Sequence, residues 1–465
     1  MRDGPIIFSV RSQMIQDRRL DPEYHYALLN VGIKSPYPLV KLLSLAYFKT
    51  GGTPLTTVEE YWGGDLPWVS AKDFKTFRFE DSEDHITELA AEEATTYVVD
   101  KPALLMVSRS GILQHSLPVM VTYKRTAINQ DIKAFFPDGR VTVDYLGAYF
   151  DLLGKKLLPL LCKSGATVQS LNTNELLNLP IPVPPPEVQR QIVAELDSAY
   201  AAKRKADEKA AELLASIDGI VLDALGIPPL PPADTSLASR IFTVSAREVV
   251  NERLDASFYQ KQYSEFEKIL SNNENLFCHV GALDIDVFQG IGRNLNAKDG
   301  MNLLKVKNII QDGSIDYDDV EPVSDVPTSK RLVQGDIISP FIGAAILNFK
   351  FGLVDCENAE RYAIDNNTGV FRVNTKTLMP EYLWIYFQTC LTRIQILRLV
   401  GGGGVPYLGS EYAKKIKIIV PSIPVQETIV SKVKEIRAKA KCLKADAQSA
   451  LAAAKKSIES KIIGD

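Results

Sequence analysis

Hydrogen-bonding side chains lie beside glycines in two stretches of the chain, and this combination suits contact with nucleic acid. Base edges are read by Arg, Lys, Asn and Gln side chains, while basic and hydroxyl groups hold phosphates. Glycine lets a backbone approach a phosphate closely because it has no Cβ. The candidates in the first half are Lys49, Thr50, Thr53, Ser70, Lys72, Arg109, Ser110, Gln114 and Asn129. Those in the second half are Gln289, Arg293, Asn294, Lys305, Lys307, Asn308, Asn366 and Tyr407.

Each candidate also has an ordinary structural interpretation, and the sequence leaves both open. Any one of them can be a solvated turn residue, since turns favour the same residue types. Asn129 and Asn366 match across the two halves and are equally explained as turn formers. Tyr407 follows the glycine run Gly401–Gly404. That run is typical of a flexible loop as well as of a loop that places a ring on DNA.

Catalytic and cofactor motifs are absent or incomplete. Phe288-Gln289-Gly290-Ile291-Gly292 fits the F-x-G-x-G pattern of an S-adenosylmethionine loop, but the Asn/Asp-Pro-Pro-Tyr/Phe motif of a DNA amino-methyltransferase is missing. The chain also lacks the G-x-x-x-x-G-K-[ST] pattern of a phosphate-binding loop. The five cysteines form no C-x-x-C pair and the four histidines lie far apart, so no metal site is indicated. We therefore expect no catalytic residue and no cofactor in this chain.

The elements that must position the candidates occur twice. Tyr145-Leu146-x-x-Tyr149-Phe150 recurs 237 positions later as Tyr382-Leu383-x-x-Tyr386-Phe387. Pro184-x-x-x-Val188-Gln189 recurs at the same distance as Pro421-x-x-x-Val425-Gln426. Repeats this long indicate two copies of a whole domain. Two similar domains on one chain imply a target that also has two parts.

Each copy is predicted to be an α/β (α+β) body followed by a long helix. Short β-prone runs such as Ala103–Val107 are broken by Gly, Pro and Asn, whereas apolar residues after each proline cluster recur in heptads. We predict bodies over residues 1–183 and 240–420, helices over 184–226 and 421–465, and a linker over 227–239. The two helices are expected to pair antiparallel as a coiled coil between the bodies, which gives the chain an internal pseudo-twofold symmetry. A helix of about 35 residues is roughly 50 Å long.

Composition restricts the setting in which the protein works. The chain has 465 residues, of which 46% are hydrophobic and 24% are charged, and these fractions are typical of a globular protein. There is no apolar run of about 18 residues and no basic segment followed by an apolar stretch at the N-terminus. We therefore expect a cytoplasmic protein with no membrane partner. Because the net charge is −4, binding to DNA would require basic groups concentrated on one face.

Five motifs follow one another along the first copy: Gly51-Gly52-Thr53-Pro54, Gly64–Ser70 with Asp73-Phe74, Ser108–Gly111, Asn129-Gln130-Asp131 and Pro184–Gln189. In this order, with the duplication and a heptad helix after each copy, the chain resembles the specificity subunit of type I restriction–modification systems over essentially its whole length. The second copy departs from the pattern. It has Gly290-Ile291-Gly292-Arg293 in place of the first motif and lacks the Pro67-Trp68 pair.

The resemblance implies two target-recognition domains, each of which reads one half of a split sequence in double-stranded DNA. It implies that the helices set the gap between the halves and dock two methyltransferase (modification) subunits. Catalysis would belong to those subunits, with S-adenosylmethionine, and to restriction/translocase subunits, with ATP and Mg²⁺. Two alternatives stay open: a duplicated interaction scaffold that does not bind DNA, and a specificity module from a related methylation-based phage-defence system.

Overall fold

The structure is a computed structural model that describes residues 24–26, 33–162, 168–230, 236, 239, 241–249, 256–260, 263, 266–269, 277–292, 300–324, 326–400 and 404–464. Two of the candidate residues, Arg293 and Asn294, lie outside these ranges. So do the small residues Ser164-Gly165-Ala166-Thr167, for which the sequence predicts a turn, and the glycines at positions 401–403.

The chain folds as two compact units. Unit 1 consists of residues 1–207 and 444–465, and unit 2 consists of residues 208–443. Both divisions fall inside long helices, since one helix spans Pro186–Ala224 and another spans Ile423–Ile463. We call these long helix 1 and long helix 2. The body and linker boundaries predicted from the sequence stay predictions.

The body of unit 1 is a mixed α/β structure. Its helices are Leu42–Leu45, Glu88–Glu93, Val143–Leu161 and Thr173–Asn178, and Val143–Leu161 is called body helix 1. Single 3-10 turns span Glu59–Tyr61, Ala71–Asp73 and Gly111–Gln114. The strands are β1 Leu39–Lys41, β2 Ala46–Thr50, β3 Trp62–Val69, β4 Asp84–Ile86, β5 Tyr97–Val99, β6 Ala103–Val107, β7 Arg109–Ser110, β8 Val119–Thr122, β9 Thr126–Ile128, β10 Ile132–Pro137, β11 Gln169–Ser170 and β12 Pro180–Pro182.

A four-stranded antiparallel sheet in the order β2-β10-β6-β8 forms the middle layer of this body. Every residue of β6 is buried. Leu104 and Met106 belong to the cluster that contains body helix 1, whereas Leu105 and Val107 belong to a second cluster around Ile128. Successive side chains of a strand point to opposite faces, so an unbroken apolar run here indicates a strand covered on both faces.

The body of unit 2 repeats this plan. Its helices are Ala246–Val249, Pro380–Phe387 (body helix 2), Cys390–Leu399 and Gly409–Ala413. Its 3-10 turns span Ala256–Tyr259, Val280–Ala282, Val306–Asn308, Thr328–Lys330, Ala344–Asn348 and Ala359–Arg361. The strands are β13 Phe277–His279, β14 Ile285–Gln289, β15 Met301–Leu304, β16 Glu321–Val323, β17 Ile337–Pro340, β18 Gly352–Leu353, β19 Tyr362–Ile364, β20 Thr368–Val373 and β21 Lys417–Ile419.

The sheets of the two bodies correspond strand by strand. The order β14-β20-β17-β18 in unit 2 matches β2-β10-β6-β8 in unit 1, and the pair β13-β21 matches β1-β12. Each body also has a second sheet with a parallel pair of strands: β3 with β9 in the four-stranded sheet β4-β3-β9-β5, and β15 with β19 in the three-stranded sheet β16-β15-β19. The prediction of a tandem α/β repeat is therefore confirmed.

The core of each unit includes segments of both long helices. In unit 1, Ile192 and Leu196 of long helix 1 and Ile458 and Ile462 of long helix 2 lie in one cluster. Lys461 Nζ lies 2.6 Å from Glu195 Oε1, and Lys455 Nζ lies 5.0 Å from the centre of the Tyr200 ring. Residue numbers thus rise along one segment while they fall along the other. Within unit 1 the two helices are antiparallel, as predicted.

Unit 2 uses the complementary helix segments. Its main cluster contains Val221 and Leu222 from the end of long helix 1, with Ile429 and Val433 from the start of long helix 2. Among the described residues, no helix combines the length and the apolar character needed to cross a membrane.

Candidate nucleic-acid interface

A buried glutamine joins each long helix to its body. The backbone N–H of Thr142 donates to Gln189 Oε1 (2.9 Å), while Gln189 Nε2 donates to the carbonyl oxygens of Arg140 and Pro184 (2.9 Å each). Gln426 makes the same three bonds in unit 2, each 2.8 Å long. Its Oε1 accepts from the N–H of Met379, and its Nε2 donates to the carbonyl oxygens of Thr377 and Pro421. We call each set a glutamine clamp. It ties the start of the long helix to the start of the body helix.

The repeated tyrosines support the same junction from the body side. Tyr145 Oη donates to the carbonyl oxygen of Pro182 (2.9 Å), and Tyr382 Oη donates to that of Ile419 (2.8 Å). Both rings are fully buried, and a buried tyrosine hydroxyl needs such a partner. Burial raises the pKa of both phenols. The most recognisable sequence motifs of the chain are therefore structural.

Several of the polar residues predicted to contact DNA form caps inside the bodies. Ser70 N–H and Oγ both donate to Asp73 Oδ2, at 2.8 and 3.0 Å. At the equivalent place in unit 2, the N–H of Lys305 donates to Asn308 Oδ1 (2.9 Å). Asn308 Nδ2 donates in turn to the carbonyls of Asp316 and Asp319 (3.0 and 2.9 Å). Asn308 is fully buried, so it offers no polar atom to a ligand in this conformation.

The lysines near these caps are held by carboxylates. Lys72 Nζ lies 2.8 Å from Asp84 and 3.3 Å from Glu83, and hydrogen bonding to Asp84 raises the pKa of Lys72. Lys307 pairs with Asp319 at 2.7 Å, and Lys305 pairs with Glu321. An ammonium must leave its carboxylate before it binds a phosphate, which weakens these three lysines as candidates.

The first glycine of each glycine motif serves packing. A Cβ at Gly51 would lie 1.7 Å from the carbonyl oxygen of Ile128, and one at Gly290 would lie 2.1 Å from that of Ile364. Only glycine lets the chain run this close to the end of the parallel strand. Gly51 and Gly290 therefore have a packing role, and the approach of these loops to a phosphate stays a prediction.

The structure makes Asp365, and not Asn366, the residue of unit 2 that is equivalent to Asn129. Asn129 N–H donates to the carbonyl of Val69 (3.1 Å), and in unit 2 it is Asp365 whose N–H donates to Leu304 (3.1 Å). Asn129 is buried and its Oδ1 accepts from the N–H of Asp131 (3.0 Å), so it acts as a turn former. Asn366 is exposed, and its carbonyl oxygen accepts from Gln289 Nε2 (3.4 Å).

Lys49, Thr50 and Thr53 lie at the open edge of the middle sheet of unit 1. Lys49 and Thr50 are exposed on β2, the first strand of that sheet. Thr53 follows and donates through Oγ1 to Gln130 Oε1 (2.6 Å). The ammonium of Lys49 makes no hydrogen bond or ion pair within the described ranges, so it is available to a phosphate.

The remaining candidates of unit 1 form an exposed edge that we call rim 1, residues 109–114 and 168–170. Strands β7 and β11 pair antiparallel, with Arg109 opposite Ser170. Ser110 begins the 3-10 turn, since its Oγ accepts from the N–H of Ile112 (3.3 Å). Arg109 and Gln114 are exposed. The Arg109 guanidinium makes no hydrogen bond or ion pair with any residue that the structure describes.

Unit 2 has an equivalent edge, rim 2, formed by residues 342–347 and 405–407. Ile342 bridges antiparallel to Tyr407, and the N–H of Gly343 donates to the carbonyl of Pro406 (2.8 Å). Tyr407 is 44% exposed. Its ring lies over Gly409, where a Cβ would come within 2.4 Å of the ring. Arg109 and Tyr407, which come from unrelated sequence motifs, thus occupy equivalent edges of the two bodies.

A model of the type I restriction modification DNA specificity domain matches residues 35–213 and 336–448. These two segments make up more than half of the 465 residues. The chain belongs to this family.

Similar proteins carry specificity-subunit names. The chain is 34% identical over 148 residues to the EcoR124I/EcoR124II specificity subunit of Escherichia coli, which covers 32% of this chain and 37% of that one. It is 29% identical over 184 residues to the MjaIX specificity subunit of Methanocaldococcus jannaschii. That match covers 38% of this chain and 41% of the relative. The chain thus spans about two fifths of the length of these curated relatives.

Solved structures similar to this specificity-domain protein include the S subunit of a type I restriction–modification system from M. genitalium. It has 12% identity and a TM-score of 0.41, and the similarity covers 93% of this chain and 97% of that one. The HsdS subunit from Thermoanaerobacter tengcongensis has 13% identity and a TM-score of 0.36, and the similarity covers 92% of this chain and 97% of that one.

Four rim residues of this specificity-domain protein were missed by sequence reasoning because they are apolar. Ile112 and Val168 in rim 1, and Leu347 and Val405 in rim 2, are each more than 40% exposed. The sequence contained one usable signal, since Val168 and Val405 are 237 positions apart and each follows a turn of small residues. Among the described residues, no cluster of His, Cys, Asp and Glu side chains could hold a metal ion.

Proposed function

We propose that this chain is the DNA specificity subunit of a type I restriction–modification complex, in which each body reads one half of a split target. The observation that carries the proposal is the pair of rims. Two bodies of the same topology expose the same two segments, yet several side chains at equivalent positions differ, such as Arg109 against Ile342 and Ser170 against Tyr407. Bodies that read different half-sites would need this combination of a constant frame and variable contact residues. Family membership and the names of the relatives support the same reading.

Base reading is assigned to the rims, and phosphate binding to Lys49, Thr50 and Thr53. Sequence is read by side chains that reach base edges, while phosphate contacts set the position of the protein. Gln289 and Asn366 are kept as the corresponding polar residues of unit 2, and Arg293 and Asn294 stay predictions. Ser70, Asn129 and Asn308 are assigned to the frame of the bodies. Lys72, Lys305 and Lys307 would contribute only if DNA displaced their carboxylates.

The long helices are proposed to set the gap between the half-sites and to dock two modification subunits. Segments of both helices lie in the core of each unit, so each helix is anchored in both units. Long helix 1 has 39 residues, or about 58 Å at 1.5 Å per residue. That length exceeds one turn of B-DNA, which is roughly 34–36 Å.

Chemistry is assigned to the partner subunits. The modification subunits would supply methyl transfer with S-adenosylmethionine, and restriction/translocase subunits would use ATP and Mg²⁺. This chain itself is proposed to carry no catalytic step and to act in the cytoplasm, where its DNA target lies.

The test is methylome sequencing of a host that expresses this chain with its neighbouring methyltransferase subunit. A host that lacks this chain and the same host complemented with it are the matched controls. We expect a split methylated motif that disappears on deletion and returns on complementation. If the methyltransferase is active but the methylated motifs are the same with and without this chain, the proposal is wrong and the scaffold alternative is favoured.

A further inference from the structure

The two rims differ in polarity at three equivalent positions, whereas Val168 of rim 1 and Val405 of rim 2 are the same residue type. The N–H of Leu171 donates to the carbonyl of Ser108 (2.9 Å), just as the N–H of Leu408 donates to the carbonyl of Phe341 (2.9 Å). These bonds align the two rims residue by residue. Rim 1 has Arg109, Gln114 and Ser170 where rim 2 has Ile342, Leu347 and Tyr407. Two of the three hydrogen-bonding side chains are thus replaced by aliphatic ones, and the third by a tyrosine, which adds an aromatic ring but keeps a hydroxyl.

The polar rim has the chemistry of direct base reading. Arg109 is exposed on the paired strand β7, so its backbone is fixed while its guanidinium points into solvent. The guanidinium presents two parallel N–H groups, which match O6 and N7 of guanine in the major groove. No carboxylate of the described residues pairs with it, so it meets DNA without first breaking an ion pair.

The apolar rim has the chemistry of contact with a methyl group. Leu347 and Tyr407, which stand where rim 1 has Gln114 and Ser170, are 43 and 44% exposed. Each therefore presents apolar surface that could contact an apolar group of a ligand. The C5-methyl of thymine is the only apolar group that the bases present in the major groove. The Tyr407 ring lies close to Gly409, where a Cβ would come within 2.4 Å of it, and the residue remains 44% exposed.

We propose that the two rims read their half-sites by different chemistry. Arg109 in rim 1 recognises a guanine, and Tyr407 with Leu347 in rim 2 recognises the thymine methyl groups of A·T pairs. This inference rests on the proposed function. The equivalent position of the two rims favours DNA as the occupant of rim 2, and docking of a modification subunit there is an outcome that the test separates.

The methylated motif of the parent strain supplies the probes. Duplexes with that motif, and with every single base-pair substitution in it, are titrated with the complex purified through a tag on the full-length chain. Three exposed-site variants are compared with the parent: Arg109→Lys, Tyr407→Ser and Lys49→Ala. Thermal unfolding of each variant checks that the fold is retained.

We expect Arg109→Lys to remove discrimination at one G·C pair in one half-site only. Lysine keeps the charge but lacks the rigid planar fork of the guanidinium, so the preference for guanine falls by up to the value of one bidentate pair, about 5- to 150-fold. Tyr407→Ser should relax an A·T pair in the other half-site only. Lys49→Ala should weaken binding to every duplex by the same factor, as expected for a phosphate contact.

Transplanting the polar residues supplies the positive test. The double variant Ile342→Arg with Tyr407→Ser should shift the second half-site of the methylated motif toward G·C at the position that Tyr407→Ser relaxes. A parent strain with no split motif would overturn the proposed function, and this inference with it. A split motif that Arg109→Lys leaves unchanged in both halves would overturn the inference alone. So would loss of the modification subunit from the Tyr407→Ser complex with base preference intact.

Discussion

Replacing Gln189 by alanine should destabilise unit 1 more than any exposed substitution. The side chain is 1% exposed, and it makes three hydrogen bonds of 2.9 Å to backbone groups. Each bond contributes about 1 kcal/mol net, and a buried N–H left without a partner costs about 1–3 kcal/mol. The loss is therefore expected to be roughly 3 kcal/mol or more, with the N–H of Thr142 left unpaired at the start of body helix 1.

Hydrogen exchange followed by mass spectrometry measures this effect in each unit separately. For amides that exchange through unfolding of the unit, a loss of roughly 3 kcal/mol lowers protection about 150-fold. Gln189→Ala should lower protection by this factor in peptides from the body of unit 1. Gln426→Ala should lower it by the same factor in peptides from unit 2. Gln189→Glu should be no better than alanine, because a carboxylate cannot donate to the carbonyls of Arg140 and Pro184.

Gln448→Ala is the matched control, since Gln448 is exposed on long helix 2. Exposed substitutions of this kind usually change stability by less than about 0.5 kcal/mol. The reasoning would be refuted if Gln189→Ala lowered the stability of unit 1 by no more than the control substitution does. Equal loss of protection in both units would refute the assignment of each clamp to its own body.

Three further predictions concern DNA binding and stability. Lys49→Ala should make the dependence of log K on log salt shallower by about 0.9, because one phosphate contact is lost; an unchanged slope in salt titrations of the purified complex would exclude that contact. Deleting one heptad from each long helix should shorten the gap in the methylated motif, and an unchanged gap would exclude the helices as its determinant. Lys133 packs against the Phe48 ring (4.4 Å) and burial lowers its pKa, so the folded state disfavours the charged form. Lys133→Met should therefore stabilise unit 1 at neutral pH, and the gain should fade as pH rises toward the unfolded lysine pKa of about 10.4; denaturant titrations at pH 7 and pH 10 that show equal gains would contradict it.

Most of the fold was accessible from the sequence because repetition and periodicity are local properties. The offset of 237 positions between Gln189 and Gln426 predicted two similar bodies, and heptads predicted both long helices. The fully apolar run Ala103–Val107 predicted a strand, and it is the central buried one. The smaller sheets and the parallel pairing of β3 with β9 were not predictable, since strand pairing depends on residues about 60 positions apart.

Residue type alone also determined which side chains were candidates, but not which of them are free. Lys72 and Lys49 were equivalent candidates in the sequence. In the structure Lys72 forms an ion pair with Asp84, whereas Lys49 is exposed and forms no ion pair with the described residues. Asn308 has the residue type of a base reader, but carbonyls 8 and 11 positions away occupy its amide.

The sequence by itself thus determined the duplication, the long helices and the absence of recognisable catalytic motifs. Only the tertiary structure decided which polar groups remain for a ligand, because burial and pairing depend on partners that are distant along the chain. It also created the rims, since strand pairing brings Arg109 to Ser170 and Ile342 to Tyr407 across more than 60 residues in each body.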